Sequence, residues 1–127
     1  MRPFELGHAG TELRRRLVAL VLAGEKTATA GLAADHAPHT GDPLPRAGDR
    51  YALLDFDDRP VGVVETTEVR IVPAGEIDEA FARDEGEGFE TVADWRAAHE
   101  RFWSDRGGID DATPIVAERF RLVERLP

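Results

Sequence analysis

The run from Arg50 to Val72 commits this chain to an antiparallel sheet. Arg50 to Phe56 reads as one strand, Asp57-Asp58-Arg59-Pro60 as a turn, and Val61 to Val72 as a long strand carrying Thr66, Thr67, Val69 and Ile71. Two such runs separated by turn residues predict a hairpin, and a hairpin needs further strands or a helix packed on it to be stable.

The rest of the chain supplies both. A helix is predicted from Thr11 as N-cap through Leu13, Leu17, Leu20 and Val21, spaced i, i+4, i+7 and i+8, to a stop at Gly24, with Arg14-Arg15-Arg16 facing outward or sideways. Lys26 to Leu32 is rich in Thr and Ala and reads as a strand or strand entry, whereas Ala33 to Gly48 has loop chemistry. Helices are expected over Glu76 to Asp84 and Thr91 to Trp103. The second opens on a Thr91-x-x-Asp94 box and carries Val92, Trp95, His99 and Phe102 on one stripe. Ile115 to Leu122 is the last expected strand. Without regular strand–helix alternation, this order predicts an α+β domain rather than a parallel α/β sheet.

The length of 127 residues suits a single domain, and the mix of 42% hydrophobic and 32% charged residues is that of an ordinary globular protein. The absence of cysteine excludes disulfides, thiolate metal sites and a thiol nucleophile. Arg14-Arg15-Arg16 followed by Leu17 to Ala23 and Thr27-Ala28-Thr29-Ala30 mimics a secretory signal, but the apolar run is short and follows a mixed leader with Glu5 and Glu12. A cytoplasmic chain without a membrane partner is therefore expected. The net charge of −9 opposes a tight grip on a phosphate backbone. Twelve acids lie between Glu76 and Asp111, so a nucleic acid would have to approach the N-terminal side.

Fifteen of the sixteen basic residues are arginine, leaving Lys26 as the sole lysine. Arginine does not deprotonate near neutral pH, whereas a lysine in a pocket can serve as a base; the alternative is a chance surface lysine. Thr29 becomes a nucleophile only if a neighbouring base takes its proton, and otherwise is an ordinary strand residue. Odd spacing in an extended segment would point Lys26 and Thr29 to opposite faces, so they converge only if the chain turns between them. In Glu85-Gly86-Glu87-Gly88 the glycines free the backbone to aim a carboxylate. That carboxylate would sit near a helix C-terminus, which disfavours anions and calls for a cationic partner; a solvated polar loop is the competing reading. Asp35, His36 and His39 lack a third firm metal ligand, and no metal is expected. His99, Trp95 and Trp103 fit either a packed core edge or a substrate contact.

Taken together, Gly24-Glu25-Lys26-Thr27-Ala28-Thr29, Gly48-Asp49, Pro60 to Val69, Phe81-Ala82-x-x-Glu85-Gly86-Glu87-Gly88, Trp95-Arg96-x-x-His99 and Phe120 resemble bacterial ASCH-domain proteins in order and spacing, over nearly the whole chain. The resemblance implies a PUA-like mixed β-barrel flanked by α-helices. It also implies a modified nucleoside or RNA as partner, because some small members are amidohydrolases that remove the acetyl group of N4-acetylcytidine, while others are ribonucleases or RNA binders. The amidohydrolases' catalytic lysine, threonine and glutamate fall on Lys26, Thr29 and Glu85, with no cofactor. Thr27, Asp55, Glu65, Glu87, Trp95 and His99 are the expected substrate-binding residues. This chain is longer than the compact amidohydrolases, so the substrate stays open.

Overall fold

Thr11 opens the first helix by accepting a hydrogen bond from the Arg14 amide at 3.2 Å, and α1 spans Glu12–Leu22. Gly24, at φ +77°, ends it, after which the Glu25 and Lys26 amides both turn back to the Leu20 carbonyl. The structure, a computed structural model, describes residues 1–36 and 43–127. His39 of the loop cluster lies outside them. The strands are β1 (Pro3–Phe4), β2 (Ala28–Leu32), β3 (Arg50–Leu54), β4 (Pro60–Pro73) and β5 (Pro114–Arg125), and the other helices are α2 (Glu79–Asp84) and α3 (Val92–Phe102).

The predicted hairpin is β3 and β4. Its turn is held by the Asp55 carboxylate, which accepts from the Asp57 and Arg59 amides at 2.9 Å, with Asp58 at φ +64°. The sheet order is β1-β3-β4-β5-β2, antiparallel except for the β1–β3 pair. Register shifts at Val63/Val64 and Thr66/Glu68 bend the long β4–β5 ribbon, so the sheet curls into a half-barrel of the α+β, PUA-like kind. Among the described residues no pairing joins β1 to β2 and closes it.

Two apolar clusters make up the core. Leu17, Val18 and Val21 of α1 pack with Phe4, Tyr51, Leu53, Val64 and Phe120. Phe81, Trp95 and Trp103 pack with Ala28, Leu32, Ile115 and Ala117. Lys26 and Glu85 share a cavity wall with Leu6 and Leu17 of the first cluster and with Phe89, which packs against the second.

The structure corrects three local expectations. Arg14 does not face outward: only 4% exposed, it donates to the carbonyls of Leu6, Gly7 and Asp55 and to Asp58. The helix expected over Glu76 to Asp84 is a 3-10 turn, Ala74–Glu76, followed by α2, because the Asp78 carboxylate captures the Phe81 amide at 2.8 Å and starts a new helix there. In α3 the Thr91/Asp94 capping box forms, but the inward stripe is Trp95, His99 and Trp103 at i, i+4 and i+8, while Phe102 is 62% exposed.

Candidate active site

The turn after Gly24 resolves the spacing problem of Lys26 and Thr29. Lys26 precedes β2, and its Nζ folds back over the strand entrance to donate to the Ala28 carbonyl at 2.9 Å. It also donates to the Glu85 carbonyl at 3.2 Å and the Glu87 carboxylate at 3.0 Å, with the Glu85 carboxylate 3.8 Å away. The side chain is buried, and its three N–H donors have three acceptors, which satisfies the requirement that an interior amine be fully hydrogen-bonded.

Glu85 and Glu87 reach Lys26 because Gly86 permits it. Gly86 sits at φ +73°, and a Cβ there would fall 2.3 Å from the Glu25 carbonyl oxygen and 2.8 Å from the Lys26 Cα. The loop after α2 therefore lies directly on the Glu25–Lys26 backbone, tied by the Thr27 amide to the Asp84 carbonyl at 2.8 Å. The helix C-terminus, unfavourable for an anion, is offset by the ammonium beside it.

Glu85 is 1% exposed. Burial pushes its carboxyl up to about 7, against the pull of Lys26; the nearby Glu87 raises it further, and the Trp95 and Lys26 hydrogen bonds draw it down. The Trp95 indole N–H donates to its Oε2. His99 stacks on Trp95 with ring centroids 4.2 Å apart and holds its Nδ1 proton to the Trp95 carbonyl at 2.8 Å. That fixes the tautomer and leaves Nε2 facing the Glu85 carboxylate at 3.8 Å. Burial holds the imidazole below its ordinary range. A buried carboxyl that exchanges its proton near neutrality beside a neutral imidazole is suited to general acid–base work.

These groups form the floor of a cavity of about 220 Å³, whose wall includes Thr29, Glu87, Phe89, Leu13 and Phe102. The Thr29 hydroxyl makes no hydrogen bond among the described residues and is open to a ligand. The volume admits a nucleobase-sized group but not a duplex.

Residues 5–124 match the ASCH domain. The chain belongs to the ASCH-domain family. Among solved structures, the ASCH domain from Lactobacillus crispatus JV V101 is 28% identical, with a TM-score of 0.75 over 87% of this chain and 72% of that one. Protein EF3133 from Enterococcus faecalis V583 is also 28% identical, with a TM-score of 0.84 over 98% of this chain and 77% of its own. Hypothetical protein PH0355, 13% identical with a TM-score of 0.58 over 85% of this chain and 92% of its own, shares the fold. No protein of curated function matched.

Within this ASCH domain, Lys26, Thr29, Glu85, Glu87 and His99 come together at one cavity. Trp95 is fully buried and reaches the site through the Glu85 carboxylate and the stacked His99 ring. Thr27 is half-buried with its hydroxyl towards the Asp84 carbonyl. Two expected cavity residues lie elsewhere. Asp55 is spent on the hairpin turn, and Glu65 lies between Arg50 and Arg121, whose hydrogen bonds hold its carboxyl below the usual range. Glu5, Leu13, Phe89 and Phe102, which sequence reasoning missed as cavity residues, line it from the segment after β1, the start of α1, the loop before α3 and the end of α3. No group of residues suited to a metal occurs among the described residues, and no described helix is long and apolar enough to cross a membrane.

Proposed function

We propose that this ASCH domain is an amidohydrolase that removes an acyl group from the exocyclic amine of a modified nucleoside, of the N4-acetylcytidine type. One observation carries the reading: a free threonine hydroxyl lines a small cavity floored by a buried Lys26–Glu85–Glu87 cluster whose Glu85 titrates at about 7.

The three engaged donors of Lys26 leave it no role in the resting site as the acceptor of the Thr29 proton, so the proton-transfer role goes to Glu85. The Glu85 carboxylate takes the Thr29 hydroxyl proton as the oxygen bonds to the acyl carbon. Collapse of the tetrahedral adduct breaks the C–N bond, and Glu85 returns the proton to the leaving amine. Water then adds to the acyl-threonine, its proton passing through Glu85 to the Thr29 oxygen as the carboxylic acid leaves. Lys26 fixes both carboxylates and supplies the positive charge beside the developing oxyanion. No cofactor is needed.

The test is deacetylation of N4-acetylcytidine by wild type, Thr29→Ala and Glu85→Gln, followed by chromatography, with a short RNA as parallel substrate. Turnover by wild type and its loss in both variants is expected. Turnover surviving in Thr29→Ala would remove the covalent step. RNA bound but uncut, with no deacetylation, would favour a binding module, and RNA cleavage without deacetylation a ribonuclease.

A further inference from the structure

A second cavity of about 420 Å³ adjoins the first, with Glu5, Thr29 and Ala30 in the wall of both. On the floor of the second lies Glu118, 8% exposed. Its Oε2 accepts the Thr66 hydroxyl at 2.6 Å, and its other oxygen has no hydrogen-bond partner among the described residues. Glu118 is the direct cross-strand partner of Thr29, which puts both side chains on one face of the sheet with Cβ atoms about 5 Å apart. That second oxygen, on a residue lining the cavity, is placed to accept from a ligand that donates hydrogen bonds.

The neighbours sharpen this. Tyr51 lines the same cavity, with its hydroxyl donating to Asp49 at 3.2 Å. His36 is hydrogen-bonded through Nδ1 to the Pro43 carbonyl at 3.1 Å, which leaves Nε2 as an acceptor in the neutral ring. Arg2, at the edge, is already paired with Asp49. The cavity thus offers acceptors and, with Glu5, Asp49 and Glu118 close by, repels a phosphate.

We infer that this second cavity is a sugar subsite, in which the Glu118 carboxylate accepts hydrogen bonds from the vicinal 2′- and 3′-hydroxyls of a ribose whose base occupies the Lys26–Glu85 cavity. The inference rests on the reading of the first cavity as a nucleobase site, but not on its chemistry. It makes the preferred ligand an unphosphorylated ribonucleoside, and it makes Glu118 the residue that distinguishes ribose from deoxyribose.

The test is calorimetric binding of cytidine, 2′-deoxycytidine and cytidine 5′-phosphate to wild type and Glu118→Gln. Wild type is expected to bind cytidine at least tenfold more tightly than the deoxynucleoside, about 1.4 kcal/mol, and more tightly than the phosphate. In Glu118→Gln the ribose preference is expected to fall to within twofold. A thermal melt checks that this variant folds, and Glu118→Asp, which withdraws the carboxylate by one methylene, provides the same ratio if it does not. A wild-type ratio near one, an unchanged ratio in the folded variants, tighter binding of the phosphate, or no binding of either nucleoside overturns the inference. Deacetylation of the sugarless base N4-acetylcytosine tests the first cavity separately. A ribose preference lost with Glu118 alongside no deacetylation of base or nucleoside would retain the sugar subsite and remove the amidohydrolase.

Discussion

Gly86→Ala puts the loop that carries both carboxylates under a defined load. The residue must hold a left-handed conformation, which costs a non-glycine residue about 1–2 kcal/mol. Its new Cβ would also need at least about 0.7 Å more room than the 2.3 Å it has from the Glu25 carbonyl oxygen, and the atoms it meets are all backbone of Glu25 and Lys26. Lifting the loop breaks the Thr27 amide bond to Asp84 and stretches the Lys26 bond to the Glu85 carbonyl, and a lost buried bond of this kind costs about 1–3 kcal/mol. The expected loss is about 2–5 kcal/mol. At about 2.1 cal/mol/K per residue of unfolding entropy, that lowers the melting temperature of a chain this long by about 7–19 °C. Gly88 is the internal control: at φ +94° but with nothing within 4 Å of a Cβ, Gly88→Ala should carry only the backbone cost. Calorimetric melts of the two variants decide it. Equal shifts, or a Gly86→Ala melt within about 2 °C of wild type, would refute the close approach of the loop to Lys26.

The acid limb of kcat/KM is expected near pH 7, where the raised Glu85 carboxyl ionises, and a limb near pH 4.5 would exclude Glu85 as the proton acceptor. Because the folded carboxyl titrates above its unfolded value, folding takes up protons between about pH 4.5 and 7. Its stabilising contribution is complete below that window and is lost as pH rises through 7, by on the order of 3 kcal/mol. Glu85→Gln should flatten this part of the stability profile in urea melts run across the window. Trp95→Phe removes the hydrogen bond that favours ionised Glu85, so the acid limb should move above that of wild type, and a limb that stays or falls counts against the contact. Arg14→Met should destabilise by about 3 kcal/mol by leaving the Leu6, Gly7 and Asp55 carbonyls without their donor, and a melt unchanged from wild type would contradict that role.

Elements whose ends are set by local chemistry were legible in the sequence. Thr11 and Gly24 bound α1, Thr91 and Asp94 start α3, and the β3–β4 turn follows from its aspartates. The glycines around Glu87 signalled an aimed carboxylate. What was missed depends on partners distant in the chain. Arg14 looks solvent-exposed because nothing local shows that three carbonyls from two other segments converge on it. β1, two residues paired in parallel with β3, is too short to show a period. Asp55 and Glu65 are carboxylates beside apolar strand residues like any other, and only the register shows that one closes a turn and the other meets Arg50 and Arg121 outside the sheet. Glu118 left a usable trace: it alternates with Val116 and Phe120, which places a carboxylate on the apolar face of β5.

That face and the Lys26 cluster follow one electrostatic logic. Lys26 has two carboxylates around it, and Glu85 is almost fully buried, so full ionisation would leave a buried negative charge without a partner of its own, an arrangement costlier than protonating one carboxyl. Glu87, the more exposed of the two, makes the 3.0 Å contact with Lys26, and Glu85 sits deeper at 3.8 Å. The proton therefore resides on Glu85, where burial has raised it to about 7. An isolated Lys–Glu pair in the same position would be neutral as a pair and would gain nothing by taking up a proton near neutral pH. Burial is the larger cause of the rise, and the surplus carboxylate delivered by the glycine-flanked loop adds to it, so that a structural ion pair becomes a proton-exchanging group in the cavity that Thr29 also lines.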